Sequence, residues 1–137
     1  MEAVDERDKE FSMTLKRFFL VNSIISVFFS LALLLMPATI LELFSMPNNA
    51  ATKVLLQFYG VQLLGGGLIT LFAINTKELR SQRSLTLAFF IADGVGFIVA
   101  LGGLLSGAMN LLGWGIALAY LILALGFGYF QFIGPTN

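Results

Sequence analysis

The chain has 137 residues, 58% of them hydrophobic and 12% charged, with a mean hydropathy of +0.89. A water-soluble domain carries about 25% charged residues. Half that share cannot cover a surface in water, which points to a small integral membrane protein of one domain, residues 1–137. The net charge is +0, and Cys and His are both absent. No global field favours nucleic acid, and disulfides, thiol nucleophiles, Cys/His zinc sites, His-ligated haem and His general bases are excluded.

The first ten residues, MEAVDERDKE, carry five acids against two bases. The apolar run behind them is longer than a signal-peptide core, and no small-residue cleavage site follows, so the reading is an uncleaved anchor. Residues 1–14 read as a solvated arm, with an inward extension of the first helix as the alternative.

Four apolar runs follow: Phe18–Met36, Val54–Ile74, Leu85–Leu105 and Leu111–Ile133. A helix needs about 20 residues to cross a hydrocarbon core about 30 Å thick. Backbone amides in lipid must be satisfied within the segment, so helix is the expected state. The expected helices cover about 15–36, 54–74, 85–105 and 111–133. The expected fold is therefore all-α: an integral membrane four-helix antiparallel bundle.

The linker from Pro37 to Lys53 is PATILELFSMPNNAATK. Pro37 stops helix 1 or starts a new one. Ile40, Leu41, Leu43, Phe44 and Met46 are too apolar for a loop in water, so a short interfacial helix over about 38–46 is expected; an irregular loop tucked onto the bundle is the alternative. Residues 75–84 read as a polar turn and residues 106–110 as a tight hairpin. Arg7, Lys9, Lys16, Arg17, Lys77, Arg80 and Arg83 fall on one side, and only Lys53 on the other. The excess of basic residues places both termini in the cytoplasm, in a plasma (inner) membrane.

Small residues permit close helix packing in lipid. Ala88, Ala92, Gly96 and Ala100 recur every four residues on helix 3, and Gly113, Ala117, Ala124 and Gly128 share a side of helix 4. Helix 2 carries Gly60 and the run Gly65, Gly66, Gly67. Each helical glycine costs about 0.8–1 kcal/mol against Ala in water, so the run suggests a close crossing or a kink. Packing within one chain is the simpler reading, and a self-association or partner face the other. The 14 Phe residues are expected to face lipid and fill gaps.

Asp93 is the one acid inside an apolar run. It lies ten residues beyond Arg83, about 15 Å into the membrane, where an acid costs about 2.5–3.5 kcal/mol on insertion scales. A neutral carboxyl is cheaper there, and no basic residue lies within a span to pair with it. The same depth arithmetic predicts an inward polar cluster of Asp93, Tyr120 and Gln62, with Ser26 or Asn22. Asp93 either fixes helix register through a hydrogen bond to Tyr120 or a backbone carbonyl, or lines a small cavity that handles a proton or a ligand.

The chain has no P-loop, Glu42 is solitary, and Asp93-Gly94 followed by Gly96 lacks the strand context of a dinucleotide fingerprint. No catalytic residue, metal site or cofactor is expected.

The segments LLLMP (33–37), ILELF (40–44), FYGVQLLGGGLITLFA (58–73) and LILALGFGYF (121–130) together resemble the DoxX-like group of small four-helix membrane proteins. The resemblance spans roughly residues 15–132 and implies a four-helix bundle, with links to membrane redox systems in some members and no transferable catalytic residue. Small multidrug exporters are less similar, because their embedded acid lies in helix 1.

Two functions remain open. One is an accessory or assembly subunit beside larger membrane proteins or in a homo-oligomer. The other is a binder or carrier of a small hydrophobic or protonatable molecule, lipid or quinone-like, using Asp93. An enzyme is the least supported reading.

Overall fold

A computed structural model describes residues 2–75 and 79–133. All elements among them are helices: α1 (Glu2–Leu35), α2 (Pro37–Leu43), α3 (Ala50–Ala73), α4 (Leu79–Leu105) and α5 (Gly113–Phe132). Four of them, α1, α3, α4 and α5, are long and apolar enough to cross a membrane.

The boundaries differ from the expected ones for local reasons. Residues 2–14 contain neither Gly nor Pro, so α1 runs back to Glu2 instead of leaving a solvated arm. Its 34 residues make about 50 Å of helix, more than a bilayer core needs. In α3, Asn49 caps a helix that begins four residues before the expected start. Asn49 Oδ1 accepts from Thr52 N at 3.0 Å, and Thr52 Oγ1 accepts from Asn49 N at 3.1 Å. Arg80 and Arg83 lie inside α4, not in a turn, while Lys77 lies outside the described residues.

The linker apolar run does form a helix, α2, with Pro37 in its first turn. Leu41 is buried, and Met46 N and Ser45 N donate to Leu41 O and Glu42 O at 2.8 and 3.0 Å. This closes α2 with a Schellman turn whose left-handed position is Ser45, φ 56°. Asn110 in the α4–α5 hairpin reaches α2, donating from Nδ2 to Leu43 O at 2.8 Å.

The long helices pack mainly as two pairs, α1 with α3 and α4 with α5. In the first pair, a Cβ on Gly60 would lie 3.1 Å from Leu33 Cβ, and one on Gly67 3.0 Å from Ser26 Cβ. Ser23, Ser26 and Ser30 are buried along the same side of α1. Small side chains on both helices thus let the backbones approach. In the second pair Gly96 meets Tyr120, Gly113 meets Leu104 and Gly128 meets Phe90.

The expected small-residue stripe is only partly inside. Ala100, Gly113 and Ala117 are buried, but Ala88 and Ala92 are exposed. A four-residue step turns 40° past a full helical turn, so three steps rotate the stripe by about 120°. Only its Gly96–Ala100 end faces α5. The glycine run of α3 also divides: Gly67 abuts α1, a Cβ on Gly66 would lie 3.6 Å from Phe89 Cε1 of α4, and one on Gly65 would meet nothing within 4 Å.

The pairs meet through aromatic rings near the end that carries Arg17 and Arg83. Phe19 and Phe127 are fully buried, packed with Leu15, Phe130 and Ala73, and Phe11, Phe18, Phe89 and Phe90 surround them. Phe18 stands edge-on to Phe127 at 4.9 Å, and Phe89 stacks on it at 5.1 Å. These rings form the core, whereas Phe28, Phe29, Phe58, Phe72 and Phe132 point outward.

Candidate functional site

Asp93 sits on the face of α4 that turns inward. Thr86 and Ala100, seven residues to either side, are buried with it, as the two-turn repeat of a helix requires. Asp93 is only 8% exposed. Its Oδ2 is enclosed and has no hydrogen-bond partner. A buried polar atom left unpaired costs about 1–3 kcal/mol, so this atom marks an interaction that the described chain does not itself complete.

Tyr120 lies one turn of α4 away from Asp93. Its ring rests on Gly96, where a Cβ would come within 2.5 Å of ring carbon Cε1. The absent side chain lets the ring lie flat on α4 and carries its hydroxyl across to α3. There the hydroxyls of Tyr59 and Tyr120 share a hydrogen bond. The tyrosine pair therefore ties the two helical pairs together at one level. Tyr59 was not among the expected site residues. Its depth on α3 matched Tyr120, but nothing in the pattern of α3 showed which face it occupied.

Below this level the helices touch again, where Gly66 of α3 meets Phe89 of α4 and Phe89 stacks on Phe127. Tyr59 and Gly66 are seven residues apart on α3, and Phe89 and Gly96 are seven apart on α4. Both intervals are about 10 Å of helix. The two contacts thus form a floor of phenylalanines and a roof of tyrosines, two turns apart. Asp93 lies between them on α4, and Gln62 on α3. Gln62 shares a heptad stripe with Tyr59 and Gly66 and remains exposed.

The expected polar cluster is thereby redrawn. Asp93 and Tyr120 are brought together, with Gln62 on the opposite helix of the same interval and its side chain exposed. Ser26 belongs to the α1–α3 seam against Gly67, and Asn22 is buried one turn further along α1. Both were assigned by depth alone, and depth says nothing of which side of a helix a residue occupies. The Tyr120 hydroxyl bonds Tyr59, and neither partner expected for Asp93, Tyr120 or a backbone carbonyl, bonds its Oδ2.

The arrangement holds one carboxyl, one amide and two hydroxyls among aromatic rings. Among the described residues no group of three or more His, Cys, Asp or Glu is placed to hold a metal ion.

Comparison with protein-family models, with curated proteins and with solved structures finds no match to this chain.

Proposed function

We propose that this chain is a membrane-spanning antiparallel bundle that binds a small hydrophobic or protonatable molecule between α3 and α4. One observation carries the reading: the enclosed, unpartnered Oδ2 of Asp93 lies between an aromatic floor and a tyrosine roof. An intramembrane acid is costly and marks a functional site by default. An acid kept only to fix register would be expected to hold a hydrogen-bond partner.

Purification in native lipid particles, followed by mass spectrometry of the bound small molecules, tests this reading. A molecule retained near one per chain by the wild type and lost from Asp93→Asn supports it. Equal small-molecule content in the two proteins, at the level of bulk lipid, removes it.

The orientation is part of the same proposal. Seven of eight basic residues at one end favour cytoplasmic termini, in a plasma (inner) membrane, with α2 on the outer face. The contacts of Gly60 with Leu33 and Gly67 with Ser26 support an antiparallel pair, as do those of Gly96 with Tyr120 and Gly128 with Phe90. The chain has no Cys, so single cysteines at Ser12 and Ser106 report sidedness directly. Labelling of Ser106→Cys, and not Ser12→Cys, by an impermeant maleimide on intact cells is the expected result. The likeness to DoxX-like bundles is consistent with this architecture.

A second reading, an accessory subunit or homo-oligomer, has its own observation. Ala88, Ala92, Val95, Val99 and Gly102 repeat at heptad spacing on α4, and all are exposed. Small residues at that spacing suit a second helix. Cross-linking of an Ala92→Cys variant in native membranes distinguishes a partner from lipid.

A further inference from the structure

Gln62 stands in the middle of α3, which runs over 24 residues from Ala50 to Ala73, about 18 Å from the helix start. Its side chain is exposed, and among the described residues no group hydrogen-bonds its amide. An amide carries two N–H donors and an accepting carbonyl. Lipid tails at that depth satisfy neither, and a polar group left so is costly.

Gln62 is also one position of a regular seam. Leu55, Phe58, Gln62, Gly65, Ile69 and Phe72 follow one another at alternating steps of three and four residues. That is the spacing of helices that pack side by side along their length. Leu55, Phe58, Ile69 and Phe72 are all exposed, and a Cβ on Gly65 would meet nothing within 4 Å. The contact with α1 lies elsewhere on the helix. Gly67, which abuts α1, is two residues beyond Gly65, about 200° around the axis. On its other side Gln62 borders the interval toward α4.

We propose that this seam is an interface with a second copy of the chain. The two α3 helices run parallel about a two-fold axis along the membrane normal, and the Gln62 amides of the two copies hydrogen-bond each other.

Three features select an identical partner. First, the bias of seven basic residues to one gives every copy the same orientation. A two-fold axis along the normal then sets Gln62 opposite itself at equal depth. Second, an amide both donates and accepts, so two glutamines complete each other and need no other residue type. Third, Gly65 lies one turn from Gln62 and bears no side chain on the open face, so the backbones can approach to the distance such bonds require. The apolar side chains at both ends of the seam pack around the amide pair. A single polar residue in a seam of this kind fixes its register, because sliding one helix leaves both amides among apolar groups.

The test is disulfide cross-linking of the full chain in native membranes. The chain has no Cys, so single cysteines report one contact each. Ile69→Cys lies in the seam, and Leu71→Cys lies at nearly the same depth on another side of α3. Under mild oxidation Ile69→Cys should give a product near twice the 14.9 kDa of one chain, containing this sequence alone. Leu71→Cys should give about tenfold less. Adding Gln62→Leu to Ile69→Cys should reduce the product by about tenfold, the effect of one or two interhelical hydrogen bonds in a bilayer. Gln62→Asn keeps an amide and should keep most of it.

Equal product from Ile69→Cys and Leu71→Cys marks random collision and overturns the interface. Unchanged or stronger cross-linking with Gln62→Leu overturns the amide pair, since leucine would strengthen a merely apolar contact. A product that contains a different protein overturns the second copy. Thermal unfolding shows whether Gln62→Leu is folded. Should it not be, Leu55→Cys decides: it must cross-link as Ile69→Cys does, and its failure overturns the seam.

Discussion

The ring of Tyr120 lies on the bare backbone of Gly96, and this contact sets the geometry of the site. Through it Tyr120 reaches Tyr59 and joins two helical pairs that otherwise meet mainly through phenylalanines. A methyl at position 96 must displace the ring. Overpacking of this kind costs about 1–3 kcal/mol. Gly96→Ala should lower stability by that amount and break the tyrosine pair. Combining it with Tyr120→Ala should remove most of the added penalty, because the clash has gone. Thermal unfolding of the four proteins of this double-mutant cycle checks the coupling.

Asp93 gives up little in stability when its charge-forming group is removed. Its Oδ2 has no partner to lose, and an amide in its place cannot ionise. Asp93→Asn should therefore unfold at the same temperature as wild type or a few degrees higher. A carboxyl that held helix register would respond the opposite way, with a loss of about 1 kcal/mol or more. Differential scanning fluorimetry in one detergent separates the two outcomes.

The three adjacent glycines of α3 should respond differently to the same substitution. A Cβ added at Gly65 would meet nothing within 4 Å, so Gly65→Ala should be neutral or stabilising by up to about 1 kcal/mol. At Gly67 a methyl would meet Ser26 Cβ at 3.0 Å and Ser23 O at 3.3 Å. Gly67→Ala should push α1 from α3 and destabilise. Parallel unfolding curves in detergent, with the sign of the shift as readout, test the pair.

Ser45 occupies a left-handed backbone position, φ 56°, at the end of α2. A residue with a Cβ is disfavoured there by about 1 kcal/mol relative to glycine. Ser45→Gly loses a 3.2 Å contact with Asn110 Nδ2, and a net gain of about 0.5 kcal/mol is expected. Asn110→Ala removes the bond to Leu43 O and should lose about 1 kcal/mol. Proteolysis within residues 44–49 should slow in the first variant and quicken in the second.

Much of the architecture was legible from residue order. Apolar length alone identified four helices, and Pro37 with the apolar residues behind it identified α2. Boundaries were less legible where a cap decided them. Asn49 and Thr52 form a capping box that starts α3 early, a pattern readable as Asn-x-x-Thr only once a helix is known to follow.

At the site, sequence depth identified Asp93 as the misplaced charge and put Tyr120 within reach. It could not assign faces, because hydrophobic periodicity is weak in helices that are apolar all round. Ser26 and Asn22 were grouped with Asp93 by depth, yet Ser26 packs against Gly67. Tyr59 went unnoticed for the same reason.

Composition and the order of charges thus determined the class of protein, the number of long helices and the one costly acid. These depend on local chemistry, the transfer of apolar segments and the expense of charge in hydrocarbon. Only the tertiary structure decided which small residues meet, since a four-residue stripe rotates away from its partner within three steps. Only it showed that Tyr120 bonds Tyr59 across Gly96 and leaves the Asp93 oxygen without a partner. Those facts depend on how helices distant in sequence face one another.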